Sequence, residues 1–310
     1  MRVVFFGTPE PAAVALDVLL GSGHEVAAVV TQPDRPRGRS GTPQPSPAKQ
    51  RGLVAGLPVL QPTSPRDDGF AETLASYAPD ASAVVAYGHI LPPEVLGIPP
   101  KGTVNVHFSL LPAYRGAAPV QRAIMAGETE TGVTTFLLEP TLDTGPMLFQ
   151  VREPIDPMDS SGSLLERLAP IGARVLVETL DAIAAGTARA VPQDASRASP
   201  APKVKPEEGA IEWTRPASEI VNLIRALDPA PGAYASFRGK RIKLWRARAA
   251  EEPGSSPGAV VDLGKERLGV SAGDGVVELL EVQLEGAKRL ETAAFVRGNR
   301  PEHGELLTFV

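Results

Sequence analysis

The 310-residue sequence contains no cysteine. That excludes disulfide bonds and thiolate metal sites, and it suits a reducing compartment, so a cytoplasmic location is expected. Histidine is scarce as well. His24, His89, His107 and His303 lie too far apart in the chain to suggest a metal-ligating cluster, and no metal is expected. No apolar run is long enough to span a bilayer, which argues against a membrane partner. Met1-Arg2 leads directly into Val3-Val4-Phe5-Phe6, so the basic–apolar–small pattern of a signal peptide is missing. A surplus of positive charge is missing too. The net charge of −5 argues against a chain that binds nucleic acid through its total charge, although local patches can differ.

What is present reads as a globular protein. Hydrophobic residues make up 43% of the chain. The length exceeds one ordinary core, so two domains are the default. The 32 prolines and 30 glycines predict many turns and at least one stiff linker. Residues 3–6 form a buried-strand run that ends at Gly7. Residues 9–20 carry Ala13, Leu16, Leu19 and Leu20 at helical spacing, Gly21-Ser22-Gly23 stops that helix, and residues 25–30 form the next strand. This βαβ unit opens a parallel α/β sheet. An irregular loop follows over 32–47. Further strands are predicted at 58–60, 83–86, 102–107, 131–138 and 147–151, with helices from 49 onward and over 68–77, 119–126 and 163–184. Between Val191 and Pro206 prolines occur among Ser, Ala and Lys, as in a linker. Beyond it come a helix over 217–227 and alternating strands at 234–237, 241–246, 258–262, 268–270 and 276–284, the pattern of a small antiparallel barrel. The predicted fold is α/β: a Rossmann-like parallel-sheet domain over 1–190, a linker over 191–206 and a small OB-like β-barrel domain over 207–310. Gly7-Thr8-Pro9 is not the G-x-G-x-x-G dinucleotide pattern.

The stretch richest in chemistry is Asn105-Val106-His107. Residues two apart on a strand share a face, so Asn105 and His107 project together near the carboxyl end of a predicted parallel strand, where open α/β sheets bind ligands. An amide can donate to a developing oxyanion, and an imidazole can donate to the same oxygen or move a proton near neutral pH. A carboxylate in reach would raise the imidazole's proton affinity and could receive an amine proton through water. Asp143, in Leu142-Asp143-Thr144-Gly145, is the best candidate. By residue type alone the bland alternative is more common: Asn-x-His at a strand end is usually hydrogen-bonded structure, and Asp-Thr-Gly is usually a turn. An aspartic-protease reading of Asp-Thr-Gly would need a second carboxylate in an all-β frame, and the sequence offers neither.

Taken together, Asn105-Val106-His107, Ser109-Leu110-Leu111-Pro112, Arg115-Gly116-Ala117-Ala118-Pro119 and Leu142-Asp143-Thr144-Gly145 resemble the folate-dependent formyltransferases. Thr31-Gln32-Pro33-Asp34-Arg35-Pro36 with Gly38-Arg39, Ala86-Tyr87-Gly88 with Ile90-Leu91-Pro92, and Gln121-Arg122 narrow the resemblance to the branch that acts on aminoacylated initiator tRNA. Ile224-Arg225-Ala226 and Pro231-Gly232-Ala233 extend it over nearly the whole chain. The resemblance implies Asn105, His107 and Asp143 as catalytic residues. It places folate contacts at Ser109, Leu110, Leu111 and Pro112, with the pterin beside Ala86, Tyr87 and Gly88. The implied reaction has the methionine amine of initiator Met-tRNA attack the formyl carbon of 10-formyltetrahydrofolate, giving formyl-Met-tRNA for translation initiation. Asn105 and His107 would hold the oxyanion, while Asp143 would orient His107 and help take the amine proton. Two departures stand out. Phe108 occupies a position where many relatives carry a small residue, and the loop over 40–45 lacks the lysines that relatives often have.

A tRNA surface has to come from local charge. Residues 31–51 carry Arg35, Arg37, Arg39, Lys49 and Arg51 against Asp34 alone. Arg35, Arg37 and Arg39 are candidates for contact with the acceptor end. A second patch, Arg238 through Arg248, alternates so that Ile242 and Leu244 face a core while Arg241, Lys243 and Trp245 share the outer face. Arg241 and Lys243 are its tRNA-binding candidates. A monomer is expected. Three rivals stay open: a formyltransferase for a small amine such as a purine ribotide or amino sugar nucleotide, a hydrolase that releases formate from the same folate, and a non-catalytic RNA-binding relative.

Overall fold

The protein is described from a computed structural model covering residues 1–36 and 41–309. The chain divides into two compact units: one of Met1–Pro119, Glu130–Pro154 and Leu165–Pro202, the other of Val120–Thr129, Ile155–Leu164 and Lys203–Val310. Among the described residues no helix is long and apolar enough to cross a membrane.

The first unit opens with β1 (Arg2–Gly7), α1 (Glu10–Leu20) and β2 (Glu25–Val30). Val3 to Phe6 are fully buried, as expected for a strand covered on both faces. In α1 a proline in the first turn needs no N–H partner there, and Ala12, Ala13, Leu16 and Leu19 form the buried stripe. The loop over 32–47, read as irregular, contains a two-residue ladder of β3 (Arg35–Pro36) with β4 (Pro43–Gln44). Ser46 then caps α2 (Pro47–Val54), its hydroxyl accepting the Lys49 N–H at 3.1 Å. There follow β5 (Val59–Leu60), α3 (Phe70–Ser76), β6 (Ala81–Val85), the short α4 (Pro93–Leu96), β7 (Thr103–His107), α5 (Pro119–Met125), β8 (Glu130–Leu137), β9 (Met147–Pro154) and α6 (Ser161–Ala184); α5 from Val120 on and the first turn of α6 belong to the second unit.

The sheet order is β5-β2-β1-β6-β7-β8-β9. β5, β2, β1, β6 and β7 run parallel, which matches the Rossmann-like expectation. β8 and β9 are antiparallel additions at the edge, joined by the loop over 138–146, because a short connection can only return the chain antiparallel. The order reverses direction between β1 and β6, so the carboxyl ends of β6 and β7 open onto the side where such sheets bind ligands.

The second unit is built on α7 (Ala217–Ala226), β10 (Ala233–Phe237), β11 (Lys240–Ala250), β12 (Val260–Asp262), β13 (Leu268–Ser271), β14 (Val276–Leu284), β15 (Leu290–Glu291), α8 (Thr292–Asn299) and β16 (Leu307–Thr308). The antiparallel order β12-β13-β14-β11-β10-β16 curls on itself. Val260 N–H donates to Glu305 O at 2.7 Å and Leu307 N–H to Gly258 O at 2.8 Å, so the edges approach each other as in a small barrel. Ile220, Ile224, Phe237, Leu244, Leu279 and Phe295 lie in its core. The helix α8 was not expected: its apolar content is thin, and Phe295 packing edge-on against Phe237 at 5.6 Å is what holds it. The outer-face reading of Trp245 needs correction in its exposure. A β-bulge between Leu244 and Arg246 breaks the alternation, and Trp245 is buried, with Arg289 stacked 3.7 Å from its ring and its indole N–H on Gln283.

One buried charge lies on the outer face of this sheet, on the side of β14 opposite the core residues Val277 and Leu279. Glu278, only 2% exposed, accepts from Arg267 Nε at 2.7 Å, just before β13, and from Arg248 Nε at 2.7 Å, on β11. The Arg267 bonds, with those of Arg248, outweigh burial and hold its carboxyl down to about 2. A group depressed on folding adds stability that is complete above its unfolded value and is lost as pH falls through its folded one. Thermal unfolding followed against pH should therefore show a Glu278 contribution disappearing between about pH 4.5 and 2. Glu278→Gln should lower the melting temperature at neutral pH by several degrees and flatten that acid limb; an acid limb identical to the wild type's would show that Glu278 does not carry it.

Candidate active site

β7 sets the first two side chains. Val104 and Val106 are buried, while Asn105 and His107 lie on the other face of the strand. Past His107 the chain makes a compact turn. Ser109 Oγ donates to Ala113 O at 2.7 Å. Thr134 Oγ1 donates to Ser109 O at 2.7 Å and accepts the Leu111 N–H at 3.1 Å, and Gln150 Nε2 donates to Leu111 O at 3.0 Å. The turn brings the Tyr114 carbonyl to 2.8 Å from His107 Nε2. A carbonyl can only accept, so Nε2 carries the proton and Nδ1 is the nitrogen left for chemistry.

That Nδ1 lies 3.7 Å from Asp143 Oδ2. The gap is too long for a hydrogen bond. The ring is thus oriented by Tyr114, and the carboxylate is held separately: Gly116 N–H donates to Asp143 Oδ2 at 2.8 Å. His107 and Asp143 are both buried, at 6% and 8% exposure, so their mutual field is little screened by water. Asp143 itself sits in the left-handed region at φ +52°, which a short polar side chain tolerates better than most.

Asn105, His107 and Asp143 border one cavity of about 510 Å³, within the size range of small-molecule sites. Ala86, Tyr87 and Gly88 line its other side, with Ile90, Leu91, Leu138 and Leu142 supplying apolar wall and His89, Glu139 and Thr141 polar groups. Among the described residues no group hydrogen-bonds the half-buried Asn105 amide, so its N–H donors are free for a ligand. Tyr87 is 1% exposed, and burial pushes its hydroxyl up to about 12. It is therefore neutral at physiological pH and packs edge-on to Phe6.

Residues 1–180 match the family model described as Formyl transferase, and residues 203–300 match Formyl transferase, C-terminal domain. The chain belongs to the formyl transferase family. It is 47% identical over 308 residues to the methionyl-tRNA formyltransferase of Moorella thermoacetica, covering 99% of each chain. It is 48% identical over 306 residues to that of Streptomyces coelicolor, covering 98% of this chain and 99% of the relative. In fold it is similar to WlaRD, a sugar 3N-formyl transferase, with a TM-score of 0.69 at 17% identity, over 93% of this chain and 99% of that one. It is also similar in fold to the methionyl-tRNA formyltransferase of Clostridium thermocellum, with a TM-score of 0.58 at 15% identity, over 92% and 98% of the two chains.

Of the ten catalytic and folate-contacting residues expected in this formyl transferase sequence, six meet at the cavity: Asn105, His107, Asp143, Ala86, Tyr87 and Gly88. Ser109, Leu110, Leu111 and Pro112 do not border it; Ser109 is fully buried in the turn that delivers Tyr114. Phe108 does line the cavity, while remaining 7% exposed. Arg35 is exposed on β3, and Arg37 and Arg39 lie outside the described residues. Of the cations counted around that loop, Lys49 is paired with Asp34 at 2.7 Å and Arg51 with Asp17 at 2.8 Å. Arg241 stacks on Tyr234 at 4.4 Å, and Lys243 donates to Pro231 O at 2.8 Å. The backbone partners Tyr114 O and Gly116 N–H were invisible to side-chain reasoning. So was Gln193, which donates to the carbonyls of Asp143 and Gly145.

Backbone closeness fixes the Asp143 loop. A Cβ at Gly145 would lie 1.8 Å from Leu137 O, and one at Gly116 2.5 Å from Ala201 O. Gly145→Ala should therefore push the loop off Leu137 and separate Asp143 from the Gly116 N–H. The expected outcome is a folded protein with increased amide exchange at Gly116; unchanged exchange there would refute this account of the loop.

Proposed function

We propose that this chain transfers the formyl group of 10-formyltetrahydrofolate to the amine of the methionine on initiator Met-tRNA, in the cytoplasm and as a monomer. The observation that carries the reading is the buried His107–Asp143 pair beside the free Asn105 amide on a largely apolar cavity. Full-length similarity to proteins named methionyl-tRNA formyltransferase supports tRNA rather than a small amine as acceptor. The apolar walls suit the faces of a pterin.

The amine nitrogen bonds to the formyl carbon, and the carbonyl electron pair moves onto oxygen. The Asn105 amide donates to that oxygen. His107 keeps Nε2–H on Tyr114 and offers Nδ1, in its protonated form, to the same oxygen. Asp143 faces Nδ1 at 3.7 Å and takes the proton released by the amine. As the intermediate collapses, the carbon–N10 bond breaks, the carbonyl re-forms, and the proton passes to N10 of the departing tetrahydrofolate. A covalent enzyme intermediate has no place in the scheme.

Arg241 and Lys243 contact the tRNA backbone in this reading. Among the described residues neither is in an ion pair, so their charge is available to phosphate. Arg35, Arg37 and Arg39 serve the acceptor end.

Purified protein is to be given 10-formyltetrahydrofolate with charged initiator tRNA, with small amines, or with no acceptor. Rapid formylation of the tRNA alone is expected; formate release without acceptor, or a preference for a small amine, would overturn the assignment. His107→Ala and Asp143→Ala should each reduce turnover by about 100-fold or more with the fold retained, as judged by circular dichroism. Near-native turnover in either variant would remove that residue from the mechanism. Arg241→Glu and Lys243→Glu should raise KM for tRNA more than they lower kcat, and each should weaken the salt dependence of binding by a slope of about 1. A salt-independent KM in the wild type would count against the barrel face.

A further inference from the structure

We propose that Gln193 is a positioning residue for this reaction, acting through Asp143; the inference rests on the proposed transfer chemistry. Gln193 lies half-buried in a stretch that the sequence marks only as proline-containing linker. Its two amide protons go to two carbonyls of the catalytic loop: Nε2 is 2.9 Å from Asp143 O and 2.8 Å from Gly145 O. Its oxygen accepts twice from one guanidinium, with Arg115 Nε at 3.0 Å and Nη2 at 2.7 Å. Turning the amide over would set N–H against guanidinium and oxygen against two carbonyls, so all four contacts fix one orientation.

The four bonds close a ring. Arg115 is followed by Gly116, whose N–H holds the Asp143 carboxylate at 2.8 Å. Asp143 is thus gripped at its backbone by Gln193 and at its side chain by Gly116, and the two grips are tied to each other through Arg115. The register of the clamp is set upstream, where Val191 and Met147 exchange backbone hydrogen bonds of 2.8 Å two residues before Gln193. Downstream, Arg115 N–H donates to Ser199 O at 2.8 Å and Ala201 N–H to Arg115 O at 2.6 Å. The loop needs such a clamp. Thr141 and Leu142 are exposed, Asp143 is left-handed, and the turn over 139–146 has no strand partner of its own. What the clamp sets is the 3.7 Å separation of Asp143 Oδ2 from His107 Nδ1, into which the reacting amine's proton must pass.

A displacement of about 1 Å at reacting groups can cost on the order of 100-fold in rate. Gln193→Ala is therefore expected to lower kcat by about 10–100-fold while KM for the folate donor and for tRNA changes by less than about threefold. Gln193→Glu retains an acceptor for Arg115 but loses both donors, and it should be as slow as Gln193→Ala. Independently of turnover, hydrogen exchange in the full chain should rise at Gly116 and over residues 142–146 in both variants and stay unchanged in the middle of α6. A Gln193→Ala enzyme with kcat within twofold of wild type, a loss confined to KM, or unchanged exchange at Gly116 would each overturn the proposal. The exchange result separates this from the underlying chemistry: wild-type protein that transfers no formyl group, yet whose loop loosens in Gln193→Ala, overturns the reaction and with it the positioning role, while leaving the clamp itself as measured.

Discussion

The hydrogen bond from His107 Nε2–H to the Tyr114 carbonyl, at 2.8 Å, decides what the rest of the site can do. It fixes the ring plane and the tautomer together, and so turns Nδ1 toward Asp143. The turn over Ser109–Ala113 can be understood as the device that delivers this carbonyl. Tyr114 is itself left-handed at φ +63°, and its N–H is held by Ser199 Oγ at 2.9 Å. A non-glycine residue in that region costs about 1–2 kcal/mol. The surrounding hydrogen bonds offset that cost, and the carbonyl stays where the imidazole needs it.

The same logic extends around the cavity. Ala86, Tyr114 and Asp143 are all left-handed, and each stands beside or behind the cavity wall. Regular strands end at Val85 and His107; Asn105 and His107 face the cavity from the end of β7, and Ala86, Tyr87, Gly88 and Asp143 are presented by irregular backbone. Each irregular piece is pinned by a side chain from elsewhere in the unit. Gln32 Nε2 donates to Tyr87 O at 2.9 Å, Thr134 and Gln150 hold the Leu111 turn, and Gln193 holds the Asp143 loop. Strained backbone thus persists where a rigid sheet supports it and polar side chains over-determine it.

This division explains what could be read from the residues alone. Composition carries the strands β1, β2 and β6, because buried parallel strands are largely apolar, while β7 shows the alternation of Val104 and Val106 with Asn105 and His107. The reversal at β8 and β9 was not legible, since an apolar run of that length has the same pattern in either direction. Asn105, His107 and Asp143, which meet at the cavity, were legible because their side chains are of types that can hold an oxyanion or a proton. Tyr114 and Gly116 were not, because they contribute only backbone atoms, which any residue type can supply. Ser109 to Pro112 stood out as a pattern, yet the pattern could not say that the Ser109 hydroxyl is spent on the Ala113 carbonyl within the turn. Gln193 was hidden by its neighbours: proline, serine and lysine around it suggest a spacer, while hydrogen bonds back to Asp143, Gly145 and Arg115 make the segment part of the site's support.

The acidic total of the chain also becomes intelligible at the level of single cations. An arginine held by a carboxylate is well ordered but neutralised, as with Arg248 and Arg267 on Glu278 or Arg238 on Glu305. An arginine held by an aromatic face is ordered and keeps its charge. Arg241 lies 4.4 Å from the Tyr234 ring, and Lys243 is held by the Pro231 carbonyl with the Trp245 ring 5.3 Å away. A ring face or a carbonyl restricts such a cation without cancelling it, so the entropy lost on meeting a phosphate is reduced while the attraction is kept. Burial of Trp245 at the bulge serves the same end, because a fixed ring is a better platform than a mobile one. A net charge of −5 is therefore compatible with a polyanionic partner: what matters is which cations are left unpaired on one strand face, and here they are the two that stacking and a carbonyl hold in place.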